Sequence, residues 1–185
     1  VTAYLGFKVN NDEYKVMGLA PYGKPVYYDQ LKKVVKVHED GSYELDMDYF
    51  VYHYRLSMPS RKFIEEFGPP RKMESKVEQR HMDFAASVQK LTEDIMINMI
   101  NHLHKETKMD NLCLAGGVAL NSVANGKILK NSPFKNVYIQ AAASDAGTSL
   151  GAAFYIYNTI LGKERSYVMQ DAYHGPSFSV DYIKN

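Results

Sequence analysis

Apolar residues recur along this chain with two different periods, and the change of period predicts alternating strands and helices. Residues 112–115 and 135–140 are short, apolar or β-branched runs, which predict two strands. Each run is followed by small residues and then by a helical pattern, over 118–130 and 148–161. Two tandem strand–turn–helix units predict an α/β fold in which both turns lie at one edge of a parallel sheet. Open α/β folds bind ligands at that edge.

The first part of the chain predicts shorter elements. The apolar residues of 2–9 predict a strand, and residues 13–20 predict a short helix. That helix should stop before Pro21, because the residue before proline is pushed out of the α region. Alternating apolar residues on either side of a polar turn predict a β-hairpin over 30–48. A second short helix is expected over 60–67.

A long helix is expected in the middle of the chain. Ser75 and Glu78 have the spacing of a capping box, so the helix should begin there and run to about Lys105. Apolar residues recur along it every three or four positions and predict one stripe that packs on the sheet. The stripe consists of Phe84, Val88, Leu91, Ile95, Met99 and Leu103.

Two local groups of side chains each have a plain and a functional interpretation. Residues 48–55 are rich in tyrosine, and we favour a packed edge beneath a loop over a surface that contacts substrate. Arg80, His81 and Asp83 cluster near the start of the long helix, and we favour a polar first turn over a catalytic group.

Composition narrows the class of protein. The chain has 185 residues, of which 45% are hydrophobic and 23% charged, as expected for a single globular domain. The net charge of +1 without a basic run argues against a nucleic-acid partner. No apolar run is long enough for a membrane span, so we expect no membrane partner and a cytoplasmic location. The single cysteine, Cys113, is expected to be a small buried side chain.

Three ordered motifs resemble those of the O-carbamoyltransferase family, which includes nodulation-factor and antibiotic carbamoyltransferases. They are Glu-Tyr-Lys-Val-Met-Gly-Leu-Ala-Pro-Tyr-Gly over 13–23, Gly-Gly-Val-Ala-Leu-Asn-Ser-Val-Ala-Asn-Gly over 116–126, and Ser-Asp-Ala-Gly-Thr-Ser-Leu-Gly-Ala-Ala over 144–153. The resemblance implies a ribonuclease-H-like, actin-like ATPase superfold, related to the tRNA threonylcarbamoyladenosine synthases.

The resemblance also implies a domain organisation. Residues 1–185 would form a single domain, one lobe of a two-lobed catalytic domain and its C-terminal part. The chain begins at Val1 rather than Met, so we expect a piece of a longer protein. The N-terminal lobe and a C-terminal domain that forms carbamoyl adenylate would be absent. Residues 174–179 resemble the segment that leads out of the catalytic domain. Self-association is expected where a missing lobe leaves apolar surface exposed.

The activity implied by the family is ATP-dependent carbamoyl transfer. A carbamoyl group would pass from carbamoyl phosphate, through carbamoyl adenylate, to the hydroxyl of a small-molecule acceptor. The implied cofactors are ATP and a divalent metal ion, iron or magnesium, and the isolated fragment would be inactive. Two alternatives stay open: threonylcarbamoyl transfer to tRNA, and a non-catalytic actin-like module that binds nucleotide.

The glycine turn after residue 115 is the first candidate site. It is either an ordinary strand-to-helix turn or, as the resemblance implies, a wall of the nucleotide pocket. Two asparagines one helical turn apart on the following helix would hydrogen-bond either a ligand or a neighbouring loop. Gly147 would either bind cofactor or allow tight helix packing. Gly151 would allow tight helix packing. Gly18 belongs to the first motif. The candidate cofactor-binding residues are Gly116, Gly117, Val118, Asn121, Asn125, Gly147 and Gly18.

Asp145 and Lys15 are the candidate catalytic residues. Asp145, or Ser144 beside it, could cap the next helix. In the resembling family, the aspartate at the position of Asp145 binds the metal, together with a His-x-x-x-His pair that this sequence lacks. Lys15 is either a solvated lysine or a compact positive charge near phosphate or carbamoyl oxygens.

Overall fold

The computed structural model describes residues 1–169, 171–173 and 175–184. The chain divides into two compact units, one made of Val1–Asn111 and Asn121–Asn136, the other of Leu112–Leu120 and Val137–Asn185. We call them the first and the second unit. Helices and two two-stranded sheets make a mixed α/β structure, which confirms that class. None of the helices in the described ranges is long and apolar enough to cross a membrane.

The N-terminal segment is a series of turns, so the strand predicted over 2–9 is wrong. Its backbone groups are satisfied locally, since the Leu5 N–H donates to the carbonyl of Val1 at 2.8 Å. The buried guanidinium of Arg71 donates to the carbonyls of Leu5 and Gly6, at 2.5 and 3.2 Å. A side chain from a distant segment therefore takes the place of a neighbouring strand, and periodicity does not reveal such a partner.

Helix α1 (Glu13–Leu19) confirms the first predicted short helix. The predicted stop at Pro21 is wrong, because Ala20 has α-helical backbone angles and the chain continues into a 3-10 turn (Ala20–Tyr22) that includes the proline. A short helix α2 (Tyr28–Leu31) follows. The predicted hairpin is confirmed with shorter strands. Strands β1 (Val35–Val37) and β2 (Tyr43–Leu45) are antiparallel.

Helix α3 (Arg61–Phe67) confirms the second short helix, and the Ser60 hydroxyl caps it by accepting from the N–H of Phe63 at 3.2 Å. Interlocked aromatic rings form the core of the first unit around Phe84, which is 1% exposed. The Phe84 ring centroid lies 4.8 Å from that of Tyr4 and 5.2 Å from that of Phe67.

Helix α4 (Gln79–Thr107) is the predicted long helix, but it begins after Glu78 rather than after Ser75. The Glu78 side chain accepts from the backbone of His81, and His81 Nδ1 accepts from the Glu78 N–H at 2.9 Å. The Ser75 hydroxyl instead donates to the carbonyl of Lys72. The capping box therefore begins three residues later than predicted, at Glu78 rather than Ser75, and histidine takes the place of glutamate in it.

The predicted packing of α4 on a sheet is also wrong. It packs against α1, α2, the 3-10 turn and helix α5 (Ser122–Asn131). Phe84 and Leu91 of the apolar stripe are buried, whereas Met99 and Leu103 near the C-terminal end are exposed.

Strands β3 (Asn111–Leu114) and β4 (Asn136–Ile139) pair as predicted. Their hydrogen bonds run start to start and end to end, from the Asn136 N–H to the carbonyl of Asp110 and from the Gln140 N–H to that of Leu114. This is the pairing of parallel strands. Cys113 is exposed, so the prediction of a buried thiol is wrong. Alternate side chains of a strand point to opposite faces of the sheet, and Cys113 points to a face that is not covered.

The helix predicted from residue 148 is confirmed as α6 (Gly147–Phe154) continued by a π-helix (Tyr155–Ile160). A short helix α7 (Val180–Lys184) lies near the C-terminus. The apolar stripe of α6 and the π-helix is exposed along much of its length, including Tyr157 and Ile160. The segment 174–179 begins at His174, which lies outside the described residues, so its predicted role stays a prediction.

Candidate functional site

The two predicted turns meet inside the second unit. The Gly116 N–H donates to the carbonyl of Ala143 at 2.6 Å, which joins the turn after β3 to the turn after β4. Gly116 has φ +103°, a backbone conformation that side chains disfavour. At Gly116 and Gly117 no atom lies within 4 Å of the position that a Cβ would take. The turn is therefore open on that side, as a close approach by a ligand requires.

Residues Gly117–Leu120 form a 3-10 turn, so the long helix predicted from Val118 starts later. Val118 is exposed on this turn. At the start of this turn the Ala119 N–H donates to the carbonyl of Gly116 at 3.0 Å.

Asn121 precedes α5 instead of lying on its face with Asn125, so the prediction of a shared helix face is wrong. The Asn121 Oδ1 caps the helix by accepting from the Ala124 N–H at 3.0 Å. Its amide also forms a reciprocal pair with Gln89, with N···O distances of 2.9 and 3.1 Å. Asn121 thus holds α5 against α4, and its role in cofactor binding stays a prediction, as does that of the half-buried Asn125.

Asp145 is exposed, and its carboxylate makes no hydrogen bond or ion pair within the described part of the chain. Its main-chain carbonyl accepts from the N–H and the hydroxyl of Thr148, at 3.1 and 2.6 Å. Ala146 occupies the capping position of α6, and no side chain caps that helix. Capping by Asp145 or Ser144 is therefore wrong, and the Asp145 carboxylate is accessible to a ligand.

The side chains around Asp145 do not by themselves form a metal centre. Among residues 1–169, 171–173 and 175–184, no three His, Cys, Asp or Glu side chains lie close enough to hold a metal ion. A divalent cation takes four or more ligands, and one carboxylate supplies at most two. The donor set here fits one ligand of a metal and no more.

The other predicted glycines have different surroundings. A Cβ at Gly147 would lie 2.1 Å from the carbonyl oxygen of Ala142, so the turn before α6 requires glycine for packing. Gly151 and Gly18 have open space instead, so tight helix packing at Gly151 is wrong. At Gly23 a Cβ would lie 2.1 Å from the carbonyl oxygen of Met82, which supports a loop-shaping role for that residue.

Lys15 lies on α1 and pairs with Asp12, with an N···O distance of 2.9 Å. The hydrogen bond to Asp12 raises the pKa of Lys15, and the same contact lowers the pKa of the Asp12 carboxyl. Lys15 is neither isolated nor buried, since 42% of its side chain is exposed. Its proposed contact with phosphate or carbamoyl oxygens stays a prediction.

The cluster at the start of α4 is structural, as we favoured. Asp83 accepts from the Lys24 N–H at 2.8 Å, and Arg80 donates to the carbonyl of Pro69 at 2.8 Å. His81 is buried, and this burial lowers its pKa.

The tyrosine-rich segment shows both environments that we considered. Tyr49 is packed in the core, whereas Tyr52 and Tyr54 are exposed. The packed-edge interpretation therefore describes the first of these tyrosines and not the other two.

Sequence reasoning missed a polar group buried in the first unit. Glu93 is 5% exposed and Gln89 8% exposed, one turn apart on α4. The Gln89 amide donates to Glu93 at 2.9 Å, and Lys127 of α5 donates to the other oxygen of the same carboxylate. The available signal was the four-residue spacing of Gln89 and Glu93, because two polar residues on a buried helix face require partners.

The sequence is similar to those of known proteins. A sequence model of the family described as Carbamoyltransferase N-terminus matches residues 1–154. The uncharacterized protein sll1178 of Synechocystis sp. is 47% identical over 189 residues, which cover 99% of this chain and 31% of the relative. The nodulation protein NolNO of Sinorhizobium fredii is 35% identical over 179 residues, covering 96% of this chain and 25% of the relative.

A third relative is NolO, a nodulation protein of Bradyrhizobium diazoefficiens, 37% identical over 166 residues. That match covers 89% of this chain and 28% of the relative. The chain spans about a quarter to a third of the length of these relatives. Because the family's N-terminal model matches most of the sequence, this chain belongs to the carbamoyltransferase family.

Proposed function

We propose that the full-length protein is an ATP-dependent enzyme that transfers a carbamoyl group from carbamoyl phosphate to the hydroxyl of a small-molecule acceptor. The family match over residues 1–154 carries this proposal, because that range contains all three motifs. We further propose that the chain contributes one lobe of a ribonuclease-H-like, actin-like domain. The parallel pairing of β3 and β4, with their turns joined through Gly116 and Ala143, supports that fold.

In this proposal the turn at Gly116 and Gly117 binds the nucleotide. Two observations support the assignment: the open space beside both glycines, and the φ of +103° at Gly116, which disfavours a side chain in the turn. Backbone N–H groups at such a position stabilise phosphate oxygens without a side chain. Asp145 would orient a ligand or supply one oxygen to a divalent metal, whose other ligands would come from outside the described residues.

The full-length protein would carry out this reaction in three balanced steps. Hydrolysis of carbamoyl phosphate gives carbamate and phosphate. A carbamate oxygen then bonds to the α-phosphorus of ATP, and pyrophosphate leaves. Finally the acceptor oxygen bonds to the carbamoyl carbon, AMP leaves, and the hydroxyl proton passes to a general base.

The test uses the first half of this reaction, because it requires no knowledge of the acceptor. Full-length protein is incubated with ATP, carbamoyl phosphate, a divalent metal and labelled pyrophosphate. We expect label to enter ATP only when carbamoyl phosphate is present. Exchange without carbamoyl phosphate, or no exchange with magnesium or iron(II), would contradict the proposal. Exchange that requires threonine and bicarbonate instead would support the threonylcarbamoyl alternative.

A pair of glycine variants tests the nucleotide assignment. Gly117→Val places a side chain in the open space beside the turn, and we expect it to raise the Kd for ATP at this site at least tenfold, measured by calorimetric titration of the full-length protein with a divalent metal. Gly151→Val is the matched control, because Gly151 is exposed in the same unit and also has open space beside it. Equal Kd values in the two variants would remove Gly117 from the nucleotide site.

A further inference from the structure

The first unit contains a cleft that the proposed nucleotide site does not use. It has a volume of about 530 Å³ and lies between α4, α5 and the segment that follows α1. This volume is within the range of small-molecule sites, roughly 300 to 1,000 Å³. The apolar part of its lining includes Met17, Ala86, Ile97 and Val123, and the rest is polar or charged. Glu93 lies among its lining residues, so the cleft combines apolar walls with a buried carboxylate.

The hydrogen bonds of that carboxylate are only partly used. Glu93 Oε1 accepts from Gln89, and Oε2 accepts from Lys127. A carboxylate has about four acceptor positions, so within the described residues roughly one remains on each oxygen. The Gln89 NH2 group has no further donor, because its two N–H groups donate to Glu93 and Asn121. Glu93, which lines the cleft, therefore has acceptor positions that the described residues do not use.

Lys127 supplies the complementary donors. Its ammonium carries three N–H groups and donates to Glu93, and 53% of its side chain is exposed. A donor and an acceptor thus lie side by side in the cleft. A hydroxyl group suits such a pair, because one oxygen can donate to a carboxylate and accept from an ammonium.

Charge narrows the ligand further. A second ion pair of the lining joins Lys90 and Asp94, with an N···O distance of 2.9 Å. The net charge of the two ion pairs is zero, because two ammonium groups pair with two carboxylates. A neutral ligand therefore loses little by entering, whereas a free anion or cation would face an equal charge of its own sign.

We infer that this cleft between α4 and α5 binds a small neutral polyol. Glu93 and Lys127 form hydrogen bonds with its hydroxyls, and the apolar residues of the lining pack against its C–H groups. The further step, that this polyol is the carbamoyl acceptor, rests on the proposed function. The inference that the cleft binds a polyol does not depend on the proposed function.

The test compares two ligands with the same carbon ring. Saturation-transfer NMR is used to measure the binding of myo-inositol and cyclohexanol to the full-length protein. We expect myo-inositol to bind at least tenfold more tightly, because six hydroxyls can use the Glu93–Lys127 pair. Equal binding would mean that the cleft recognises only apolar surface, and no binding of myo-inositol would also overturn the inference.

Variants locate the site. Glu93→Gln keeps the shape of the side chain, and we expect it to raise the Kd for myo-inositol at least tenfold. Glu66→Gln is the matched control, because Glu66 pairs with Lys33 at 2.9 Å elsewhere in the first unit. Should Glu93→Gln fail to fold, Val123→Phe fills the cleft from its exposed wall and must produce the same loss. An unchanged Kd in a folded cleft variant would overturn the inference.

The outcomes also separate this inference from the proposed function. Pyrophosphate exchange without polyol binding would leave the enzyme proposal standing and remove the cleft as a polyol site. Polyol binding that depends on Glu93, in a protein that shows no pyrophosphate exchange, would support the cleft as a polyol site and contradict the enzyme proposal.

Discussion

The two units of this chain use apolar residues in opposite ways. In the first unit large aromatic rings interlock, with Phe84 at 1% exposure and Phe63 at 3%. In the second unit the buried apolar side chains among the described residues are Leu112, Ala119 and Ala143, all aliphatic. The aromatic residues of its π-helix are exposed instead, Tyr155 at 60% and Tyr157 at 51%.

This difference teaches that an apolar stripe predicts a helix more securely than it predicts burial. The pattern over 148–161 is as regular as that of α4, yet it covers no core of its own. Contiguous exposed apolar surface in a folded protein indicates an interaction site. We therefore expect the first unit to carry the stability of the chain and the second unit to carry surface for contacts.

The largest expected effect is on the aromatic core. Phe84→Ala removes a ring that contacts Tyr4, Tyr27, Phe63 and Phe67, and it should lower the free energy of unfolding by about 3–5 kcal/mol. Phe154→Ala in the second unit is the matched control. Phe154 is 37% exposed, so we expect a loss below about 1.5 kcal/mol.

Urea denaturation followed by circular dichroism measures both variants. Equal losses of stability would contradict the comparison of the units, because they would show that the α6 stripe is as well packed as the core.

The second prediction concerns Asp145, whose two predicted roles the structure separates. Its carboxylate does not cap α6, so Asp145→Asn should change the free energy of unfolding by less than about 0.5 kcal/mol. If Asp145 acts in carbamoyl transfer, the rate at which the full-length protein transfers label from carbamoyl phosphate to an acceptor hydroxyl should fall by about 100-fold, as is typical when a group that stabilises developing charge is removed. A loss of stability with unchanged transfer would assign Asp145 to folding.

Much of the fold followed from local patterns. Periodicity placed α1, α3, α4, α6 and the strands β3 and β4 near their observed positions, because each depends mainly on neighbouring residues. The failed prediction over 2–9 depended on Arg71, some 65 residues away in sequence. The apolar residues there indicated a strand, but a distant guanidinium donates hydrogen bonds to two of its carbonyls.

The candidate site was predictable in outline and not in detail. The glycine turn is where the motif placed it, since glycine and small residues determine a turn locally. The roles of polar side chains were less accessible. Asn121 was predicted on a helix face with a ligand or a neighbouring loop as its partner; it caps α5 and pairs with Gln89, which lies on another helix. The environment of Cys113 likewise depends on how many strands the sheet has, which no single run of residues specifies.

A smaller effect is expected from the helix caps, which also differ between the units. Ser60→Ala removes the cap of α3 and should lower the free energy of unfolding by about 1 kcal/mol. Ser144 precedes α6, a helix that no side chain caps. Ser144→Ala should therefore lower the free energy of unfolding by less than about 0.5 kcal/mol. Chemical denaturation of the two variants measures both values, and an equal loss at Ser144 would indicate a cap that the structure does not show.

The smallest expected effect is a pH dependence of the stability of the first unit, caused by His81. Burial, followed by the charge of Arg80, lowers the pKa of His81 from its ordinary value of 6.5, against the weaker opposing charge of Glu78. The folded protein thus takes up a proton less readily than the unfolded chain. The contribution of His81 is therefore complete above about pH 6.5 and is lost as pH falls from there through the lowered pKa. Protonated Nδ1 also cannot accept the hydrogen bond from the Glu78 N–H.

Unfolding midpoints in urea at about pH 7.5 and about pH 5.5 bracket the ordinary range in which histidine titrates. We expect the wild-type midpoint to fall between them by more than that of His81→Gln, because glutamine at this position can cap without titrating. The other histidines are present in both proteins, so the difference between the two falls isolates His81. Equal falls would mean that the proton taken up on acidification binds elsewhere, and that the α4 capping box does not sense pH.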